Sequence, residues 1–187
     1  MAFTVVYDAN VLYPAPLRDL LIRLAMTGQF RARWTDDILD EVFRNILADR
    51  PQLKREQLER TRELMNMAVR DVLVDGHHPL MADLDLPDPD DRHVLAAAIR
   101  CGAQSIVTHN LKDFPREKLE PYGVEAVHPD AFVLDLIDLA PGAVLVVTQE
   151  QAAALKNPPM SLDEVLDILE RNGIPRSVAE LRRLRSG

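Results

Sequence analysis

The stretch DRHVLAAAIRCGAQSIVT, residues 91–108, decides the fold class. Counting from Asp91, Val94, Leu95 and Ala98 recur at i+3, i+4 and i+7, the spacing of one helix face, which predicts a helix over Asp91–Arg100. Gly102 stands where such a helix stops. Gln104–Thr108 then reads as a strand. The same alternation extends in both directions. Phe3–Tyr7 is a short apolar run of the kind that forms a buried strand. Pro16 opens a helix with Leu17, Leu20, Leu21 and Leu24 on one stripe, closing near Gly28. Thr35 has the character of an N-cap, with Asp36 and Asp37 in the first turn and Ile38, Leu39, Val42, Phe43 and Ile46 as the apolar stripe. Pro51 ends that helix, Lys54–Val69 predicts a third, and Val72–Val74 a short strand. A loop rich in Pro and Asp ends in LPDPDD before the opening stretch. After it come the loop HNLKDFP and a strand at Val124–Val127.

Alternating strands and helices predict an α/β domain with a mainly parallel sheet. From about Asp130 the character changes to mostly helical. Ser161-x-x-Glu164 and Ser177-x-x-Glu180 match the capping box, and Gly173 sits where a helix should end. The expected organisation is an α/β domain over residues 1–130 and an all-helical extension over 131–187.

Composition bounds the function. At 187 residues and 47% hydrophobic, the chain can build a proper core. Its one cysteine, Cys101, forms no internal disulfide, which fits a reducing cytoplasm; the residue is read as core. No signal-peptide pattern opens the chain, and no run approaches the roughly 18 apolar residues of a membrane span. A cytoplasmic protein with no membrane partner is expected. The net charge of −8 argues against a polyanionic partner only superficially, because it is unevenly spread. Asp75–Asp91 holds six aspartates and no Lys or Arg, Arg44–Arg70 holds seven basic against four acidic residues, and Arg171–Gly187 five against one.

The acids carry the chemistry. In an open parallel sheet, ligands bind beyond the carboxyl ends of the strands, where strand order reverses. Asp8 ends the first strand, Asp113 follows the strand ending at Thr108, and Asp91 starts the helix leading into it, on the face that meets the sheet. Glu41 lies mid-helix beside an apolar stripe, half-buried by expectation. Converging carboxylates repel one another, and a divalent cation relieves the repulsion. Oxygen-only ligands suit Mg²⁺ or Mn²⁺; no thiol or histidine cluster is read here to suggest zinc, and the five histidines are taken as surface or hydrogen-bonding residues. Singly, each acid has a plainer reading. Asp91, Asp90 or Asp88 could be an N-cap, Asp113 a turn residue, Glu41 a solvated helix residue, and Asp8 a hydrogen-bonded turn helped by Asn10. Their combination is what points to a metal.

Four stretches, VVYDANVL, DDILDEVFRNI, DPDDRHVLAAAI and SIVTHNLKDF, together resemble the PIN-domain nuclease family, and within it the VapC-type ribonuclease toxins of type II toxin–antitoxin pairs. The resemblance covers about residues 1–130 and implies a three-layer α/β/α fold. By position it places the family's acidic quartet on Asp8, Glu41, Asp91 and Asp113, with Asp90 the alternative to Asp91. Asn10, Thr108 and Asn110 take supporting places that orient carboxylates or water. The implied activity is Mg²⁺- or Mn²⁺-dependent hydrolysis of RNA phosphodiester bonds by metal-activated water, leaving a 5′-phosphate and a 3′-hydroxyl. The implied partners are the RNA substrate, a cognate antitoxin and a second copy of the chain in a homodimer. The helices after Val127 exceed the short pattern of a stand-alone toxin. They are expected to serve RNA contact (through Arg182, Arg183 and Arg185), antitoxin contact or dimer support, or else simply to cap the core through Leu136, Leu145, Val146, Leu155, Leu166 and Leu169. A housekeeping nuclease in RNA processing or decay would share the same site. A non-catalytic α/β binding module would instead tolerate Asp8→Asn.

Overall fold

The structure is a computed structural model and describes residues 2–187. Four strands, β1 (Thr4–Tyr7), β2 (Arg31–Arg33), β3 (Ser105–Val107) and β4 (Glu125–Val127), form one parallel sheet in the order β2-β1-β3-β4. Val5 lies opposite Ala32 on one side and Ser105 on the other, and Val107 lies opposite Val127. β1 and β3 are buried along their whole length, as central parallel strands covered on both faces must be.

The chain leaves β1 towards β2, then crosses back past β1 to β3. Both excursions carry helices that pack onto the sheet and onto one another. The first carries α1 (Ala9–Leu12) and α2 (Ala15–Met26). The buried Tyr7 phenol donates to the Leu21 carbonyl of α2 at 3.0 Å, which satisfies a hydroxyl that would otherwise be costly in the core. The second carries α3 (Asp36–Asp49), α4 (Arg55–Ala68) and α5 (Arg92–Cys101). Thr35 caps α3 by accepting from the Ile38 amide at 3.0 Å. The run Val94–Ala98 of α5 is fully buried against β1 and β3, and its alanines let the helix lie close to the strands. The short α6 (Arg116–Leu119) links β3 to β4.

After β4 come α7 (Pro129–Leu139), α8 (Pro141–Ala154), α9 (Leu162–Arg171) and α10 (Pro175–Ser186). Their buried residues join the same hydrophobic core as the sheet. Phe132 of α7 meets Phe30 edge-on, with ring centroids 5.1 Å apart, and completes an aromatic group with Tyr7 and Trp34. Gln151 of α8 donates to the Pro16 carbonyl at 2.9 Å. Asp130, buried on α7, accepts from the backbone amides of Arg176 at 3.1 Å and Ser177 at 2.8 Å, and from the Ser177 hydroxyl at 2.7 Å. It thereby satisfies the open amides at the start of α10 from another helix. Among the described residues, no single helix is long and apolar enough to cross a membrane.

Several sequence expectations change. Val72–Val74 is not a strand: Leu73 makes one isolated parallel bridge to Trp34, just past β2. The second edge of the sheet is instead β2, whose one buried residue, Ala32, sits between arginines and so offers no apolar run to read. Ser177-x-x-Glu180 is not a capping box; Ser177 lies inside α10 and spends its hydroxyl on Asp130, whereas Ser161 and Glu164 do form the expected reciprocal pair. Leu136, Leu166 and Leu169 are buried, but Val146 and Leu155 are 49% and 37% exposed and do not cap the core. Cys101 is half-buried at the end of α5 rather than inside the core.

Candidate active site

In the order β2-β1-β3-β4, the connections diverge between β1 and β3, so the crevice at their carboxyl ends is where a ligand is expected. Asp8 and Thr108, the residues that follow these two strands, meet there. The Asp8 amide donates to the Val107 carbonyl at 3.0 Å, which holds the residue in register with β3. One carboxylate oxygen accepts from the Ala9 amide at 2.8 Å and so caps α1; the other accepts from the Thr108 hydroxyl at 2.8 Å and the Asn10 amide at 3.1 Å. The Thr108 oxygen in turn accepts from the Asn10 side chain and the Asn110 backbone, each at 3.0 Å. Asn10 accepts from the His109 amide at 3.0 Å, and the Asn110 side chain donates to Asp113. These bonds stitch the loop after β1 to the loop after β3, across about a hundred residues of sequence. They explain how a carboxylate only 5% exposed is tolerated at the end of a buried strand.

The other predicted acids face the same place. Glu41 projects from α3, half-buried. Asp91 closes the 3₁₀ turn Pro89–Asp91 that leads into α5, yet its carboxyl makes no capping bond. That task falls to Asp88, which accepts from the Asp90 amide at 2.9 Å. The capping alternative for Asp91 is therefore taken by a neighbour, and its side chain is left for the crevice. Burial, and then the charges of Asp8, Asp88, Asp113 and Glu41, push the Asp91 carboxyl up to about 7. Burial raises Glu41 as well, with Asp8, Asp88 and Asp90 adding to it and Arg44 opposing. Burial raises Asp8; its bonds from Thr108 and Ala9 oppose this, and Asp113 adds to it. The four acids thus sense one another's charge. Asp90 is exposed, and its field reaches Glu41 from outside the group.

Beside the acids lies a cleft of 320 Å³ lined by Asn10, Tyr13, Glu41, Asn45 and Asp49 among others. Four carboxylates with oxygen donors only, one of them pushed up by burial and by its neighbours, form a set suited to a hard divalent cation such as Mg²⁺ or Mn²⁺.

Some residues were not legible as part of this region. His93, on a buried turn of α5, has its Nε2 3.8 Å from a Glu41 oxygen, and burial lowers its pKa and favours the neutral ring. Its place two residues after Asp91 was the available signal. The expectation that no histidine cluster exists is corrected: His77 and His78 meet at the Asp37 carboxylate. Asp37 and Glu41, four residues apart, share one face of α3, which the spacing alone allowed one to read. Several surface arginines, among them the three of the extension offered for RNA contact, pair with acids of the chain itself. Arg62 of α4 pairs with Asp36 and Asp40 and lies over the Phe43 ring. In the extension, Arg182 pairs with Asp167 and Glu170, Arg183 with Glu180, and Arg185 with Asp163.

Comparison with known proteins gives a consistent outcome. The family model described as PIN domain matches residues 4–112, a span that includes Asp8, Glu41 and Asp91 and ends one residue before Asp113. The model described as VapC50 C-terminal domain matches residues 129–183. A curated relative, "Putative ribonuclease VapC50" of Mycobacterium tuberculosis, is 46% identical over 94 residues, which are 50% of this chain and 55% of that protein. The match therefore spans about half the length of the relative. No solved structure matches the chain.

Proposed function

The chain belongs to the PIN-domain family, in its VapC-type form with a C-terminal helical extension, and from that premise we propose that it is a Mg²⁺- or Mn²⁺-dependent endoribonuclease acting as the toxin of a type II toxin–antitoxin pair. The nuclease domain comprises residues 1–130 and the extension residues 131–187. Asp8, Glu41, Asp91 and Asp113 hold the cation. When bound, a divalent cation lowers the pKa of water and offsets the charge that develops on the phosphate. The residues of the chain itself do the positioning. Thr108 and Asn10 fix one Asp8 oxygen by donating to it, and Ala9 fixes the other, so the carboxylate does not have to be ordered when the ion arrives. Asn110 orients Asp113 in the same way. Asp90, exposed beside Glu41, adds negative potential that favours a cation. The cleft lined by Asn10, Tyr13 and Asn45 receives the RNA backbone next to the acids.

The observation that carries this reading is the raised Asp91 carboxyl within a group of four mutually repelling acids at the β1/β3 crevice. Such a group stores unfavourable charge until a cation binds. By resemblance, the protein works in the cytoplasm, forms a homodimer and is restrained by a cognate antitoxin. Incubating purified, antitoxin-free protein with a mixed RNA panel in Mg²⁺, Mn²⁺ or EDTA, beside folded Asp8→Asn, tests the chemistry. Cleavage that requires the metal and falls about a hundredfold or more in the variant is expected. Equal cleavage by the variant, or cleavage in EDTA, refutes the assignment. Growth arrest on expression, relieved by a co-expressed partner, separates a toxin from a housekeeping nuclease.

A further inference from the structure

The side chains of Asp37, His77 and His78 converge outside the acid crevice. Asp37 stands in the first turn of α3; the two histidines lie forty residues later, where the loop after α4 enters a 3₁₀ turn, His78–Asp83. The Nε2 atoms of both rings approach the same Asp37 oxygen, at 2.8 Å for His77 and 2.7 Å for His78. The ring centroids are 4.1 Å apart, and one ligating atom from each of the three residues lies within 4.8 Å of the others. The His77 side chain is only 3% exposed, and its Nδ1 has no hydrogen-bond partner. A neutral imidazole that donates through Nε2 leaves Nδ1 a bare acceptor; one that donates through Nδ1 leaves that proton unsatisfied. In the hydrogen-bonded arrangement two ring nitrogens compete for one carboxylate oxygen, whereas the His77 Nδ1, on the other side of its ring, stays unpaired whatever Nε2 binds.

We propose that Asp37, His77 and His78 form a zinc-class transition-metal site, chemically distinct from the oxygen-only crevice, that bridges α3 and the loop after α4. Two imidazoles and a carboxylate are a donor set that zinc accepts with a fourth position left for water, and the exposed His78 keeps that position open to solvent. Ligands on bonds of about 2.0–2.1 Å sit roughly 3.3 Å apart around a tetrahedral ion, so the present contacts need to open by only about half an ångström. The ion ties the loop that leads to Asp88 and Asp91 onto the helix that carries Glu41, one turn beyond Asp37. Both elements that bring acids to the crevice are then held to one point. His93 lies between the two groups: its ring senses the charges of Asp37, His77 and His78 while facing Glu41.

The test uses the tag-free, full-length, metal-stripped protein titrated with Co²⁺ or Zn²⁺ in millimolar Mg²⁺, which occupies the oxygen site. Saturable binding of a single Co²⁺ with visible ligand-field bands, displaced by Zn²⁺, is expected, together with a Zn²⁺-dependent rise in Tm. His78→Ala, at an exposed position that does not threaten folding, and Asp37→Asn should each weaken binding at least about tenfold and remove the Tm rise. Asp8→Asn should leave both readouts unchanged. Absence of saturable Co²⁺ binding in the wild type overturns the proposal. So does binding that survives His78→Ala and is lost in Asp8→Asn, because the ion then sits in the crevice. None of these readouts depends on RNA cleavage.

Discussion

Replacing Asp91 with Asn should stabilise the metal-free protein while removing its response to Mg²⁺. The Asp91 carboxyl sits at about 7 in the folded chain against an ordinary value of 3.8. Between these values the folded protein holds a proton that the unfolded chain has released, so stability falls as pH rises across the window and levels off above about 7. At about 1.4 kcal/mol per pH unit, a fully desolvated group would cost ~4 kcal/mol at alkaline pH. Asp91 is only half-buried, and solvent screening reduces the figure to ~2 kcal/mol. Asn keeps the shape and removes the charge, so in EDTA near pH 8 the variant should melt about 4–8 °C above wild type. Near pH 5 the difference should shrink to ~1 kcal/mol or less, and it should close only below about pH 4. Mg²⁺ should raise the wild-type midpoint near pH 8 and scarcely move the variant. Thermal melts of both proteins at the two pH values, with EDTA and with Mg²⁺, measure all of this. A variant no more stable than wild type in EDTA near pH 8 refutes the view that burial and the neighbouring acids make the Asp91 charge unfavourable in the crevice.

Thr108→Val removes the hydroxyl that donates to Asp8 and accepts from Asn10 and Asn110; urea unfolding should show a loss of ~1–3 kcal/mol, and the RNA cleavage rate should drop about tenfold or more. Asp130→Ala leaves the Arg176 and Ser177 amides of α10 unsatisfied, so ~2 kcal/mol of stability should be lost and hydrogen exchange should rise first across 175–186. An unchanged exchange rate there counts against cross-helix capping. Gly173→Ala requires a side chain at φ +98° whose Cβ would lie 2.8 Å from the His109 ring, so Tm should fall by several degrees. A mild effect there would show that the turn between α9 and α10 gives way easily on the loop after β3.

Local signals carried the helices and drew attention to the acids. The 3.6-residue period in 91–100, the glycine at 102, the cap at Thr35 and the apolar runs ending at Tyr7 and Thr108 are short-range features, and each specifies its own element. An α/β chain order also limits where strand ends can meet, so Asp8, Asp91 and Asp113 could be assigned to one sheet edge before any coordinates. Whatever depends on partners far along the chain was not legible. β2 has no apolar run, because an edge strand needs only one buried residue, and its place was settled by pairing with β1. Ser177 matches a capping pattern, but a buried Asp130 forty-seven residues away competes successfully for its hydroxyl. Whether Asp91 capped a helix or faced the crevice turned on Asp88 taking the cap. The arginines of the C-terminal helix found acids on α9 and within α10, an outcome that charge counting along the chain cannot foresee. His77 and His78 became a candidate site only when the fold laid Asp37 against them. Local sequence thus determined most of the helices and three of the four strands, and it singled out the candidate acids; tertiary structure decided which distant polar groups share a partner, because hydrogen bonds and charge repulsion act over a few ångströms of space whatever their separation in sequence.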